Sequence, residues 1–497
     1  MARLVKVALA TLLIFALVWL AVIVHWQATT RQPSGADIVL SLVLLPIALA
    51  TLLFVSIWAF KRSRMPTSGA VPAGGAAAQP AAAGSDLTRV PLAIVASTII
   101  GPAGHTAAEL AAAFVGGKPL GLDAGLRDRD GFPIFAARAG IEPALIEEWR
   151  ASLAGRDGVI AIDDEIVRTL ALASMAIAAL LHELATLPDF VREADRRNEA
   201  ERRSLPQRVA PRWYVTLLLP PDWSDALRTA ASALLGARME ATLAELALFA
   251  GPREIAAPLV RHGVETMTLV DGLGVRLAAD TQRDIPPGVA LIVAAASHIG
   301  ESTLDAWQAR GMLFGAGTPQ GLVPGECAAG VVMTPASAPS HQCGDGETAP
   351  EFLSTPARVR LHRVATGRRE TPVDARGKAP ADALDAVADR ALSSAGLLVS
   401  EKVACIVADS GPHAPHVLEL ATLVSERFPD LDPLADNWAI GAIHGHTGAA
   451  GTLAALCVAH ACAIERQAPV LVASTSDRFE RAAAVLTLPA TDTPAAT

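Results

Sequence analysis

The run Gly441-Ala442-Ile443-His444-Gly445-His446-Thr447-Gly448-Ala449-Ala450-Gly451 sets two histidines on a glycine-rich loop that leads into a small-residue helix start. A neutral imidazole can move a proton, hydrogen-bond to developing negative charge, or bind a metal. His413 and His416 add a second close pair, and His460 lies farther on within an apolar stretch. These spacings would suit zinc, but no cysteine or carboxylate follows at matching intervals, so neither a metal nor a cofactor is expected. Covalent acyl transfer would need a thiolate at a helix N-terminus. The chain has five cysteines and none before Cys327. Cys327, Cys405, Cys457 and Cys462 stand among apolar neighbours and read as buried, inert thiols of a reducing compartment. Gly272-Leu273-Gly274 lacks the third glycine of a dinucleotide loop, His182-Glu183 lacks the second histidine of a zinc protease helix, and no Gly-x-Ser-x-Gly elbow occurs.

The elements that position these groups belong to a chain of 497 residues, 52% apolar and 18% charged, with formal net charge −9. That length predicts two or three units with a large core. The acidic balance and the absence of an aromatic-interleaved basic stripe exclude nucleic acid as a partner. Val7 to Trp26 and Ile38 to Phe60 are apolar runs, each of the ~20 residues needed to cross a bilayer as a helix. Arg3 and Lys6 precede the first run, and Lys61, Arg62 and Arg64 follow the second. Residues 1–65 therefore read as a membrane hairpin with both ends in the cytoplasm. Residues 66–86 are rich in Ala, Gly and Pro and read as a flexible linker.

Beyond the linker, apolar strand-like runs alternate with helical periodicity. Strands are expected at Pro91–Ser97, Trp213–Leu219, Val289–Ala295, Ala329–Met333, Val359–Val364, Val403–Ala408 and Val470–Ser474. Helices are expected at Thr106–Phe114, Glu165–Leu187, Ser224–Gly236, Met239–Phe249, Ala381–Ala395, Val417–Arg427 and Gly451–Arg466. This is an α/β layered pattern with buried sheets. A Pro/Ser/Gly/Thr-rich stretch divides it into residues 87–335 and 357–490, with 336–356 as the connecting loop.

From about Val90 to Ala473 the order of motifs resembles a β-ketoacyl synthase of the thiolase-like superfamily. The resemblance rests on Leu92-Ala93-Ile94-Val95 with Gly101 and Gly104, on Ala290 to Ser297 running to Pro324-Gly325-Glu326-Cys327, on Lys402 to Glu419, and on Gly445-His446-Thr447. It implies a duplicated α/β/α/β/α fold. It also implies a cysteine before Val289, a histidine after the Val403 strand and a lysine five residues before His446. No cysteine is there, Asp409 or Ser410 occupies the histidine point, and Gly441 the lysine point. His446, Asp409 and Ser410 are thus the candidates for a vestigial site, and losing linked catalytic members removes most of a rate.

The two apolar runs, the linker and a thiolase-like body without its cysteine resemble, as an arrangement, the type VI secretion lipase-adaptor family. That resemblance implies a non-catalytic protein of the bacterial inner membrane whose soluble part faces the cytoplasm. There it would bind a phospholipase effector and help load it onto the secretion spike protein. The alternative is a ketosynthase-like condensing or decarboxylating enzyme acting on acyl thioesters. Homodimerisation stays open.

Overall fold

The structure is a computed structural model. It describes residues 90–489, except 118–119, 157–161, much of 189–210, positions 247, 249 and 250, 283–287, most of 337–357, 376–380 and 398–402. The expected membrane hairpin at 1–65 and the linker at 66–86 lie outside the described residues, as does most of the loop expected at 336–356.

Eleven strands and their helices form two copies of one topology, with β10 and β11 together taking the first-strand place of the second half. The first half holds β1 (Leu92–Ile100), α1 (Ala107–Val115), a ribbon of β2 (Gly121–Arg127) and β3 (Pro133–Ala136), α2 (Pro143–Leu153), α3 (Asp164–Thr186), β4 (Trp213–Leu218), α4 (Asp225–Glu245), β5 (Arg253–Ala256), α5 (Gly263–Gln282), β6 (Val289–Ser297), α6 (Glu301–Ala309) and β7 (Glu326–Pro335). After a small ribbon of β8 (Gln342–Cys343) and β9 (Glu347–Thr348), the second half holds β10 (Arg360–Leu361), β11 (Ala365–Arg368), α7 (Asp382–Ser394), β12 (Cys405–Ala408), α8 (Ala414–Arg427), β13 (Asn437–Ala439), α9 (Gly441–His444), α10 (Ala449–Arg466), β14 (Val470–Ser474) and β15 (Glu480–Thr487).

Each half orders its sheet third, second, fourth, fifth, first: β5-β4-β6-β7-β1, and β13-β12-β14-β15 beside β10 and β11. In both, the second strand runs parallel to the third and fourth, while the fifth is antiparallel to its neighbours. The duplication is therefore written in topology. The two first strands pair antiparallel, Leu92 with Leu361 and Ala93 with Arg360, which joins the halves into one sheet.

Strand alternation sorts the core into layers, because neighbouring side chains point to opposite faces. In β6, Ala290, Ile292 and Ala294 face a central cluster, whereas Leu291 and Val293 face an outer one. In β14, Val470 and Val472 face that same central cluster and Leu471 faces the other outer one. Helices α1, α5 and α10 fill the centre, α2, α3 and α4 cover the strands of the first half, and α7 and α8 cover those of the second. This is the five-layered α/β/α/β/α arrangement that the sequence led us to expect. Helices α3 and α10 are long and apolar enough to cross a membrane, yet most of their apolar length is buried in this core.

Three sequence expectations need correction. The two helices expected at Ser224–Gly236 and Met239–Phe249 are one, α4, which runs on through Gly236, where a side chain would press on Ile255 of β5 at 2.9 Å. The strand expected at Val359–Val364 is shortened to β10, Arg360–Leu361, and β11 starts only after it, at Ala365. Helix α5, whose start matters for the site, was not anticipated.

Candidate functional site

The site is built on one tripeptide. His446 donates its backbone N–H to the Val323 carbonyl (2.8 Å), and His298 donates its own to Gly325 (2.9 Å). Hung from Val323-Pro324-Gly325, the two imidazoles stack with centroids 5.5 Å apart and planes 25° from parallel. Buried Trp307 of α6 meets both, at 5.0 Å from His298 and 5.7 Å from His446. The support is close-packed backbone. A side chain at Gly325 would collide with the carbonyl of His444, and Gly445 and Gly448 take φ of +67° and +54° on either side of His446, where glycine is favoured.

Behind this spine, Glu326 is fully buried. It accepts from Ala139 N–H (2.6 Å), Ser297 Oγ (2.8 Å) and Arg168 Nε (2.8 Å), with a further bond from the Arg168 guanidinium. Ser297 immediately precedes His298, so this charge pair fixes the end of β6 and with it the second imidazole.

His446 forms part of the wall of two clefts. One, of about 400 Å³, reaches Glu165, Leu219, Val260, Trp307, Met312 and His298. The other, of about 210 Å³, is lined by Gln320, Asp374, His413, His416, Ser476 and Arg478. The N-terminus of α10 at Gly448 borders both. Burial first, then the neighbouring His413, pushes His446 down to about 4; burial, then His446, pushes His298 down to about 3. Both rings are therefore neutral near pH 7, each carrying one N–H donor and one lone pair. Glu165, on the wall of the larger cleft, is raised by burial while accepting hydroxyl bonds from Ser302 and from Thr303 (3.0 Å).

The other expected positions have structural roles. The Asp409 carboxylate accepts from Thr452 Oγ1 and Ser474 Oγ (both 2.6 Å), Ser476 Oγ (3.1 Å), and the N–H groups of Thr475 (2.8 Å) and Ser476 (3.0 Å). Five donors saturate it, so it clasps β12, β14 and α10 together. Ser410 is fully buried, and its Oγ has no partner among the described residues. A side chain at Gly441 would meet Gly411 Cα at 2.7 Å and the Ser410 carbonyl at 2.8 Å, which leaves no room for a lysine. The N-terminus of α5, the helix that leads to β6, begins at Gly263. A side chain there would run into Asp409, Ser474 and Thr452, so the space a nucleophile's side chain would take is filled by the clasp.

His444 is turned away from its neighbour. It is buried against Gly101, pushed down to about 4, and its Nδ1 has no partner among the described residues. His444 and His446 therefore do not converge on a common point, and no group of three metal-ligating side chains forms among the described residues. His416 is likewise pushed down to about 4 by burial, then by Arg481 and His413. His460 bonds Ser97 Oγ at 2.8 Å. Cys327, Cys405, Cys457 and Cys462 are buried; burial pushes the Cys327 thiol up to about 12, despite Thr447 beside it.

Sequence reading found His446 but missed His298. The signal was present: a histidine directly after an apolar strand, at the carboxyl end where α/β sheets hold ligands. What hid it was the need for Val323-Pro324-Gly325 to bring the two rings together.

No family model and no curated protein matches the chain. Solved structures do. A type II PKS acyl-carrier protein in complex with its ketosynthase bound to the hexaketide superposes with a TM-score of 0.50 at 12% identity, over 80% of this chain and 99% of that one. The ishigamide ketosynthase/chain length factor gives 0.48 at 20% identity over 80% and 99%, and a ketosynthase with its chain length factor from Xenorhabdus doucetiae gives 0.46 at 13% over 80% and 98%. The chain thus has the fold of ketosynthase domains. The expectation of a non-enzyme, drawn from the missing cysteine, is corrected by the first of these likenesses: the fold is shared with a ketosynthase, although no cysteine precedes Cys327. None of the three is a secretion adaptor.

Proposed function

We propose that the chain forms enolates from acyl thioesters without an acyl-enzyme, decarboxylating a malonyl-type thioester at the His298–His446 pair. One observation carries this reading: two imidazoles are stacked at 5.5 Å, both on the wall of the larger cleft and His446 on the wall of the smaller one as well. The bond between the α-carbon and the carboxylate breaks, carbon dioxide leaves, and the electron pair moves into an enolate. Its oxygen accepts hydrogen bonds from the imidazole N–H groups, and water returns a proton to carbon. Preorganised donors of this kind contribute roughly 10²–10³ in rate each. The N-terminal amides of α10 add a favourable field for the anion. An amphipathic thioester fits the two clefts, its carrier arm among the polar residues around His413 and Arg478 and its acyl part against Leu219, Val260 and Met312. Incubating the purified full chain with a malonyl thioester should yield the acetyl thioester, read by mass spectrometry. Recovery of the malonyl thioester unchanged would sink the reading.

Anchoring by residues 1–65 belongs to the same proposal and rests on the length and polarity of the two apolar runs. Docking of a phospholipase effector and a secretion spike protein rests on the arrangement of the chain alone. A pull-down from detergent-solubilised membranes reads it, and recovery of neither protein would remove it.

A further inference from the structure

The β2–β3 ribbon is apolar on both faces. Its inner face carries Leu126, Ile134 and Ala136, buried against Ile299, Leu304 and Trp307. Its outer face carries Leu122, paired in register with Phe135, and these are 57% and 39% exposed. Phe314 packs edge-on against Phe135 at 5.6 Å, and Phe132, 67% exposed, stands at the tip. The tip is a built turn: Asp128 accepts from the N–H groups of Phe132 (2.8 Å) and Asp130 (3.0 Å), and Gly131 takes φ +82°. Exposed large apolar side chains grouped on one ribbon mark a contact site.

We propose that this outer face rests on the lipid interface of a bilayer, with Phe132, Phe135 and Leu122 entering the headgroup boundary. The proposal rests on the membrane anchoring proposed above. The described residues begin at 90, with only 29 residues between them and Phe60, where the second apolar run ends. The domain is then held at high effective concentration beside the bilayer, where an exposed aromatic ribbon finds its favoured medium. Charges at the tip alternate, Arg127, Asp128, Arg129, Asp130, and Arg129 also pairs with Asp305 at 3.7 Å. The contact is therefore driven by apolar insertion, with little dependence on salt or on anionic lipid. The ribbon's inner face covers Trp307, and Met312 lines the larger cleft. Seating the ribbon would bring that cleft close to the source of acyl chains.

The test uses the full chain in phosphatidylcholine vesicles, with Cys343→Ser and Phe132→Cys carrying a bimane label. The four remaining cysteines are buried and do not compete. A label at Val115→Cys, 80% exposed, is the reference. The expected result is a blue-shifted Phe132 label quenched by shallow nitroxide lipids, unchanged by salt or anionic lipid and weakened by Leu122→Ser, while the Val115 label stays in water. Vesicle flotation reads the anchoring separately. A chain that floats with an unquenched Phe132 label overturns the ribbon contact and leaves the anchoring intact. Shielding that grows with protein density and without nitroxide quenching overturns it in favour of a second copy. A chain that does not float removes both.

Discussion

Two imidazoles, His298 and His446, stand at the centre of this fold while no cysteine precedes Cys327, and the packing explains why a thiol cannot simply be introduced at the start of α5. The Asp409 clasp occupies the space at the start of α5, so Gly263→Cys should overpack the site. It should destabilise by about 1–3 kcal/mol, read as a lower thermal midpoint, without creating a reactive thiol. An unchanged midpoint together with rapid alkylation would show that the clasp yields. His446 and His298 behave oppositely to a surface pH switch. With folded values of about 4 and about 3, both stay neutral from pH 8 to pH 6, and the decarboxylation rate should be flat across that range. A rate that climbs or falls with an apparent pKa near 6.5 would mean that the rings are solvated. Of the site's residues, the sequence displayed His446 because its glycines mark a tight turn. It concealed Asp409's saturation, which depends on hydroxyls from α10 and β14, elements distant in the chain.

At the scale of elements, the alternation of apolar runs made the strands and most helices legible. The β2–β3 ribbon, α2, α5, α6, α9, β5, β11, β13 and β15 were not, since their polarity is decided by what packs on them. β7 illustrates the dependence: its first residue, Glu326, is a carboxylate at 0% exposure, tolerable only because Arg168 arrives from α3. Glu326→Gln would leave that guanidinium without its counter-charge beside the core. It should cost roughly 3–5 kcal/mol in chemical denaturation. It should also loosen Ser297 and so blunt the His298 contribution more than that of His446. A loss below ~1 kcal/mol would mean that solvent reaches the pair.

Across the whole molecule, the repeated strand order shows a duplication that the two halves' sequences do not display, because topology is carried by burial pattern rather than residue identity. The fold also stores histidines in neutral form. His298, His416, His444, His446 and His460 are all depressed to about 3 or 4, by burial first in every case. Each folded value lies below that of the unfolded chain, so the unfolded state binds more protons below pH ~6.5. These groups take nothing from stability at pH 7. As pH falls from about 6.5 towards 4, each favours unfolding. Denaturation midpoints should therefore drop steeply over that window, and a midpoint that stays level from pH 7 to pH 5 would contradict these depressed values.

The most direct measurement is carbon dioxide release from a malonyl thioester by the full chain, with His298→Ala and His446→Ala assayed beside it and thermal midpoints confirming that each variant is folded. Release above the uncatalysed rate is expected, falling roughly 10²-fold in either variant. Release no faster than in buffer, or equal release from the folded His446→Ala protein, would contradict the assignment of chemistry to the histidine pair.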